Sequence, residues 1–321
     1  MGDIAPQSMI VPASTGNDTM DFNSPDVLKQ LYAGWQRCID ENPAITLDQI
    51  RNLFEHWGDV TTEPGGVDYS EGVLGEVAGL WVQPKGADRS AVLLCFHGGG
   101  YVMGSMYSHR KMFAHFAKAV GCAAFIVDYR RAPESHHPAP VNDCAAAYAG
   151  LLAGGVKPGK VAFVGDSAGG ALAITTLLRA RALALPLPAA ACAIAPYLDL
   201  EAKGATYDSN AGVDILGNRA ATIKFAEIFL GPDGNRHDPL VNPLHADLAG
   251  LPPMLLQTGG DDVLLDDSRR FLALATAAGL DVALEVSPGQ QHVFHFLAGV
   301  APEADAAIAH AGQWLRGKLE L

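Results

Sequence analysis

From about residue 88 to the last residue, short apolar runs alternate with longer segments of helical period. That is the trace a parallel sheet with crossover helices leaves in a sequence. The strand candidates are Ala91 to Phe96, Cys122 to Val127, Lys160 to Val164, Ala189 to Ile194, Met254 to Gln257 and Val282 to Val286, each bounded by Gly, Pro or polar residues. Between them, Met112, Phe113, Phe116, Ala117 and Val120 make the stripe of a helix lying on a sheet, and Leu264 to Ala278 and Pro302 to Leu319 behave in the same way. Val67 to Tyr69 and Val77 to Val82 read as an antiparallel pair in front, for about eight strands in one α/β domain. Such a domain needs a large core, and 321 residues at 49% hydrophobic content supply it, which excludes a disordered chain.

Two stretches break the alternation, residues 1–60 and roughly 198–250. In the first, Leu28, Leu31 and Trp35 share one helical face, and Ile50, Leu53, Phe54 and Trp57 share another. Asn23-Ser24-Pro25 reads as a helix start, so two short amphipathic helices are predicted. Ser8 to Thr19 has little periodicity and is expected to hang loosely. The resulting division is a helical region over 1–60 and an α/β domain over 61–321 that contains the irregular stretch 198–250.

Charge narrows the partners. Against 35 Asp and Glu there are 22 Lys and Arg, a net −13 that repels phosphate backbones and anionic membranes, so no nucleic-acid partner is expected. The longest charge-free stretches, Ser90 to His109 and Ala182 to Leu198, are broken by glycines or prolines, and no membrane span is predicted. The first basic residue is Lys29, which argues against a secretory signal and makes the cytoplasm the expected compartment. The five cysteines show no C-x-x-C spacing, and Cys95, Cys122 and Cys192 lie in strand-like runs as small buried hydrophobes. No spaced metal-ligand set appears, and no Gly-rich turn carries the Lys of a phosphate loop or the acid of a dinucleotide site, so neither metal nor cofactor is expected.

The sharpest local feature is Gly165-Asp-Ser167-Ala-Gly169, directly after the strand-like Val161 to Val164 and directly before a helical segment, Ala171 to Arg181. A serine on such a strand-turn-helix projects above the sheet, and glycines two residues to either side avoid collisions in the tight turn. With 35 glycines, G-x-S-x-G arises by chance at about 0.1, so a second feature is needed. His97-Gly98-Gly99-Gly100-Tyr101 provides it, following the first parallel strand, where bare amides can be aimed at an oxyanion. Gly99, Gly100 and the N–H of Ala168 are the candidate donors. Tyr101 and Asp166, which flank these elements, are candidate substrate contacts.

Together, His97-Gly-Gly-Gly-Tyr101, Asp128-Tyr-Arg-Arg-Ala-Pro-Glu134 and Gly165-Asp-Ser-Ala-Gly-Gly170 resemble the hormone-sensitive-lipase-like branch of the α/β-hydrolases, from about residue 66 onward. The resemblance implies a mostly parallel eight-stranded sheet flanked by helices, an N-terminal helical cap over 1–60, a catalytic domain over 61–321 with 198–250 contributing a second cap segment, and a Ser, Asp, His triad in that chain order. Asp262-Val-Leu-Leu-Asp266 is similar to the family's D-x-L-x-D segment and puts the acid at Asp262, with Asp261 as rival and a helix N-cap as the other use of either carboxylate. His292-Val293-Phe294 stands where the family commonly has His-Gly-Phe. It departs at the middle residue, and His292 is preferred to His295, which is expected to pack or be solvated.

By resemblance the chain is expected to be a serine carboxylesterase acting on short- to medium-chain acyl esters through an acyl-enzyme. The same triad also serves lactonases and amide-cleaving, arylformamidase-like enzymes, because fold does not settle substrate. A non-catalytic small-molecule binding protein is the third reading, disfavoured by the presence of His292. The expected partner is a small ester, and a homodimer is open by analogy alone. Leu31, Trp35, Phe54 and Trp57 are either pocket walls or packing between cap and core.

Overall fold

The structure, a computed structural model, describes residues 20–321. Ser8 to Thr19, expected to hang loosely, therefore lies outside the described residues. Eight strands form one sheet: β1 Val67–Leu74, β2 Val77–Pro84, β3 Asp88–Phe96, β4 Cys122–Val127, β5 Val161–Asp166, β6 Ala190–Ile194, β7 Met254–Gly259 and β8 Val282–Ser287. Their spatial order is β1-β2-β4-β3-β5-β6-β7-β8. β1 with β2 and β2 with β4 are antiparallel, and every later pair is parallel.

The central strands are buried on both faces and so read as unbroken apolar runs. The alternating burial of β1 marks an edge with one solvated face. The helices in chain order are α1 Val27–Glu41, α2 Leu47–Glu55, α3 Arg110–Val120, α4 Ala139–Ala153, α5 Ala168–Ala182, α6 Thr206–Ser209, α7 Arg219–Leu230, α8 Leu265–Ala277 and α9 Pro302–Leu319. In α3 the predicted stripe is the buried face, and Gly121 in the left-handed region closes the helix.

The cap start differs from expectation by two residues. Asn23-Ser24-Pro25 makes a turn whose Ser24 carbonyl accepts from Val27, and α1 begins at Val27 behind Asp26. The second predicted cap helix divides into α2 and a 3-10 turn over His56–Val60, and Thr46 with Gln49 forms a reciprocal capping box at its start. Trp35 and Phe54 meet at 4.5 Å between ring centroids, and Trp57 stacks on Phe296 of the domain at 4.9 Å. Trp57 thus packs the N-terminal helices against the α/β domain, with Trp35 and Phe54 set against its other side. All five cysteines are free, and the three expected in strands are buried there.

Leu94 stands at the centre of this sheet with no exposure, whereas Val73 at the β1 edge is 65% exposed. Leu94→Ala is expected to cost about 3 kcal/mol and Val73→Ala no more than about 0.5, read as the shift in urea midpoint at constant m-value.

Candidate active site at the carboxyl ends of the strands

Ser167 follows β5 directly and is the N-cap of α5. Its φ of 54° and ψ of −119° lie outside the regions open to L-residues, a conformation that costs of order 1–3 kcal/mol and persists only where its surroundings hold it. The surroundings here are backbone. The Ser167 N–H donates to the Ile194 carbonyl at 2.8 Å, and its own carbonyl accepts from Tyr197 at 3.0 Å and Ala171 at 3.1 Å. A Cβ on Gly165 would run into the Gly169 carbonyl, and one on Gly169 into the carbonyl of Phe96 at the end of β3. The sharp turn and the close approach of α5 to the sheet therefore both require glycine.

The loop after β3 lies beside this turn. Gly99, Gly100 and Tyr101 all have positive φ, and the Gly99 carbonyl accepts from both Val102 and Met103, which turns the chain back on itself. The N–H of Ala168, the first residue of α5, is among the helix N-terminal amides that have no acceptor within the helix.

Asp166, expected at the substrate, is fully buried; its Oδ1 accepts from the Gly98 N–H at 3.2 Å and its Oδ2 lies 3.2 Å from His109 Nε2. In this position the side chain supports the glycine loop from behind. Tyr101, the other expected substrate contact, is 1% exposed and stacks on Phe229 at 3.8 Å.

The sequence reading used Asp128 to Glu134 only for its resemblance, and the structure gives the segment a physical task. The Tyr129 hydroxyl donates to the His97 carbonyl at 2.7 Å, Arg131 donates to the Gly104 carbonyl, and the Ala132 N–H donates to the Tyr101 carbonyl. Glu134 forms a two-pronged pair with Arg51 of α2 at 2.6 and 2.7 Å, and that guanidinium also donates to the carbonyls of Val102 and Ala132. The Arg51 pairing holds the Glu134 carboxyl down at about 2.

Asp262 and His292 meet across the ends of β7 and β8, with Nδ1 2.8 Å from Oδ2. Asp262 is fully buried, and its Oδ1 accepts from the Leu264 N–H, so the capping use expected as its alternative is present on one oxygen while the other faces the imidazole. The rival Asp261 lies 3.4 Å from Gln291 Nε2. His295 is buried against Gln257 Oε1 at 3.0 Å, and burial drives its pKa down to about 3, so it packs as a neutral ring. Burial alone would depress His292 too, but the charges of Asp262, Asp214 and Asp166 hold its pKa above the ordinary 6.5.

Asp214, in the stretch between β6 and β7, was not singled out from the sequence. Its carboxylate accepts from Val263, Leu216 and Gly217, and burial, then the neighbouring Asp262 charge, raises its pKa to about 6. Among the described residues one three-membered set of metal-capable groups, Glu201, His237 and His245, also gathers, with Lys203 Nζ already 2.7 Å from Glu201. These lie in two distant stretches with no ligand spacing, so no sequence pattern marked them.

With this geometry in view, the comparisons become specific. Residues 93–296 match a family model described as the alpha/beta hydrolase fold. A crystal structure of an esterase from the bacterial hormone-sensitive lipase family superposes with a TM-score of 0.87 at 40% identity, covering 92% of this chain and 99% of that one. The chain belongs to the hormone-sensitive-lipase family of α/β-hydrolases. An acetyl-hydrolase of Streptomyces hygroscopicus is 41% identical over 272 residues, 85% of this chain and 88% of that protein. An esterase of Acinetobacter venetianus is 33% identical over 270 residues, 84% and 86% of the two chains. No helix among the described residues of this family member is long and apolar enough to cross a membrane.

The close contact at the serine turn gives a contrast in sign. Gly317, in α9, has open space around its would-be Cβ, and Gly317→Ala is expected to stabilise by about 0.5–1 kcal/mol through helix propensity. Gly169→Ala, also in a helix, is expected to destabilise by at least about 2 kcal/mol. Denaturant midpoints of the two variants measure both.

Proposed function

We propose that the protein is a serine carboxylesterase whose nucleophile is Ser167, with His292 as general base, Asp262 as its orienting acid, and the amides of Gly99, Gly100 and Ala168 as the oxyanion hole. His292 takes the proton from Ser167 Oγ as that oxygen attacks the ester carbonyl, and Asp262 holds the imidazole in the tautomer with Nδ1 protonated. The negative charge that develops on the carbonyl oxygen is met by the three amides. Imidazolium then protonates the departing alcohol, and water attacks the acyl-enzyme by the reverse use of the same groups.

The observation that carries the reading is the Asp262–His292 contact at the same sheet edge as the strained Ser167. The relatives named acetyl-hydrolase and esterase support the reaction class. Low exposure of Ser167 and His292, 7% and 6%, supports a narrow approach and short to medium acyl groups.

Hydrolysis of p-nitrophenyl esters from acetate to palmitate is expected to peak at the short end and to vanish in Ser167→Ala. A folded wild type that turned over none of them would overturn the reading. Asp262→Asn is expected to lower kcat on the order of 10⁴-fold, since the amide favours the wrong imidazole tautomer.

The pH dependence follows from the signs above. His292 must be neutral to accept a proton, and its pKa is raised, so the acid limb of kcat/KM should have its midpoint above 6.5. Asp214→Asn removes a negative charge that stabilises the imidazolium, so the limb should move to lower pH; an unmoved or upward-shifted limb would contradict the assignment of the base.

A further inference from the structure

Val293, which follows His292, is fully buried and sits at φ 48°, ψ 45°. The left-handed region is a conformation of glycine and occasionally asparagine, and a β-branched residue is an outlier there because its Cβ crowds the backbone. Left to itself, the peptide between His292 and Val293 would swing to bring Val293 back to negative φ. That rotation is shared between the φ of Val293 and the ψ of His292, so the loop that presents the imidazole to Asp262 would relax with it. Something outside the loop must oppose it.

The group in place to do so comes from the cap. Tyr32 of α1 is fully buried, and its hydroxyl donates to the His292 carbonyl, the oxygen of that same peptide, at 2.9 Å. The phenol in turn accepts from Trp57 Nε1 at 2.9 Å, so its proton is committed to the carbonyl. Trp57 stacks on Phe296, four residues beyond His292, and the Phe296 carbonyl accepts from Thr61 Oγ1 at 2.6 Å. Burial keeps the phenol protonated and hence a donor.

We infer that Tyr32 is a positioning residue for His292, holding the peptide between His292 and Val293 so that Val293 stays left-handed and the imidazole stays on Asp262. The inference rests on the reading of His292 as general base, and it gives the cap a part in the chemistry that requires no contact with substrate. The strain at Val293 and the bond from Tyr32 are two halves of one device. Remove the strain, and the bond should matter less.

That reciprocity is the test. Tyr32→Phe keeps the ring and loses the donor, and kcat for p-nitrophenyl acetate should fall about 10- to 100-fold with KM within about twofold, as for a misplaced catalytic group. Adding Val293→Gly should restore most of the lost kcat, because glycine adopts this φ without strain. Adding Val293→Ala removes nearly as much side chain but retains the Cβ, and should restore little.

Wild-type kcat in Tyr32→Phe, or equal rescue by Gly and Ala, would overturn the inference. His292→Ala, run alongside, separates it from its premise. If that variant stays active the premise fails, and if it is dead while Tyr32→Phe is unaffected only the positioning role fails. Should Tyr32→Phe not fold, Trp57→Phe, which frees the phenol to rotate off the carbonyl, is expected to show the same loss in kcat and the same selective rescue by glycine. Without that loss and rescue, the inference falls.

Discussion

Where β5 turns into α5, the backbone of Gly169 lies directly against the carbonyl of Phe96 at the end of β3. That contact between two main chains, possible only without a side chain, fixes how far α5 can enter the sheet. It brings the first amide of α5 beside the glycine loop that leaves β3, and it holds Ser167 in a conformation the residue would not choose. Asp166 completes the arrangement by accepting from Gly98 while facing His109, so the strand that presents the serine also anchors the loop next to it. The local cost of the turn is met by surrounding hydrogen bonds, as expected where strain concentrates at a functional site.

A second group of supports reaches the site from outside the sheet. Arg51 of α2 spans Val102, Ala132 and Glu134, and the Trp57–Tyr32 pair reaches the His292 carbonyl. Asp214 and Asn210, between α6 and α7, grip the backbone around Asp262. Buried polar groups of this sort contribute modestly when paired and cost more when a partner is removed. Their main effect is to define one geometry: the loops of Gly99, of Asp262 and of His292 are each held by at least one side chain that belongs to neither that loop nor its strand.

Much of the sheet was legible because parallel central strands are apolar on both faces and leave unbroken runs. All eight predicted strands begin within three residues of their observed starts, and β5, β7 and β8 run on by one or two residues into the turns, where hydropathy has no signal. The strand order, with β3 between β4 and β5, has no mark in the sequence. Glycine spacing gave the serine turn and the loop after β3, since close backbone approach leaves a compositional trace. Asp214 left none: a single carboxylate in an irregular stretch looks like any solvated acid until the fold buries it beside Asp262. The bond from Gly98 to Asp166 left none either, since a place beside Ser167 suggests the substrate and says nothing of a side chain that reaches back under the glycine loop.

The bond from Tyr32 to His292 joins residues 260 positions apart, and the loop it holds leads into α9. Contacts of such separation are reached late, after shorter loops have closed, because the entropy of closure must be met before they return anything. The sheet can therefore be largely assembled while the histidine loop is still free to sample other turns. In this architecture the histidine loop takes its final form when α1 docks against it. Recovery of secondary structure and recovery of a working site are then distinct events in time.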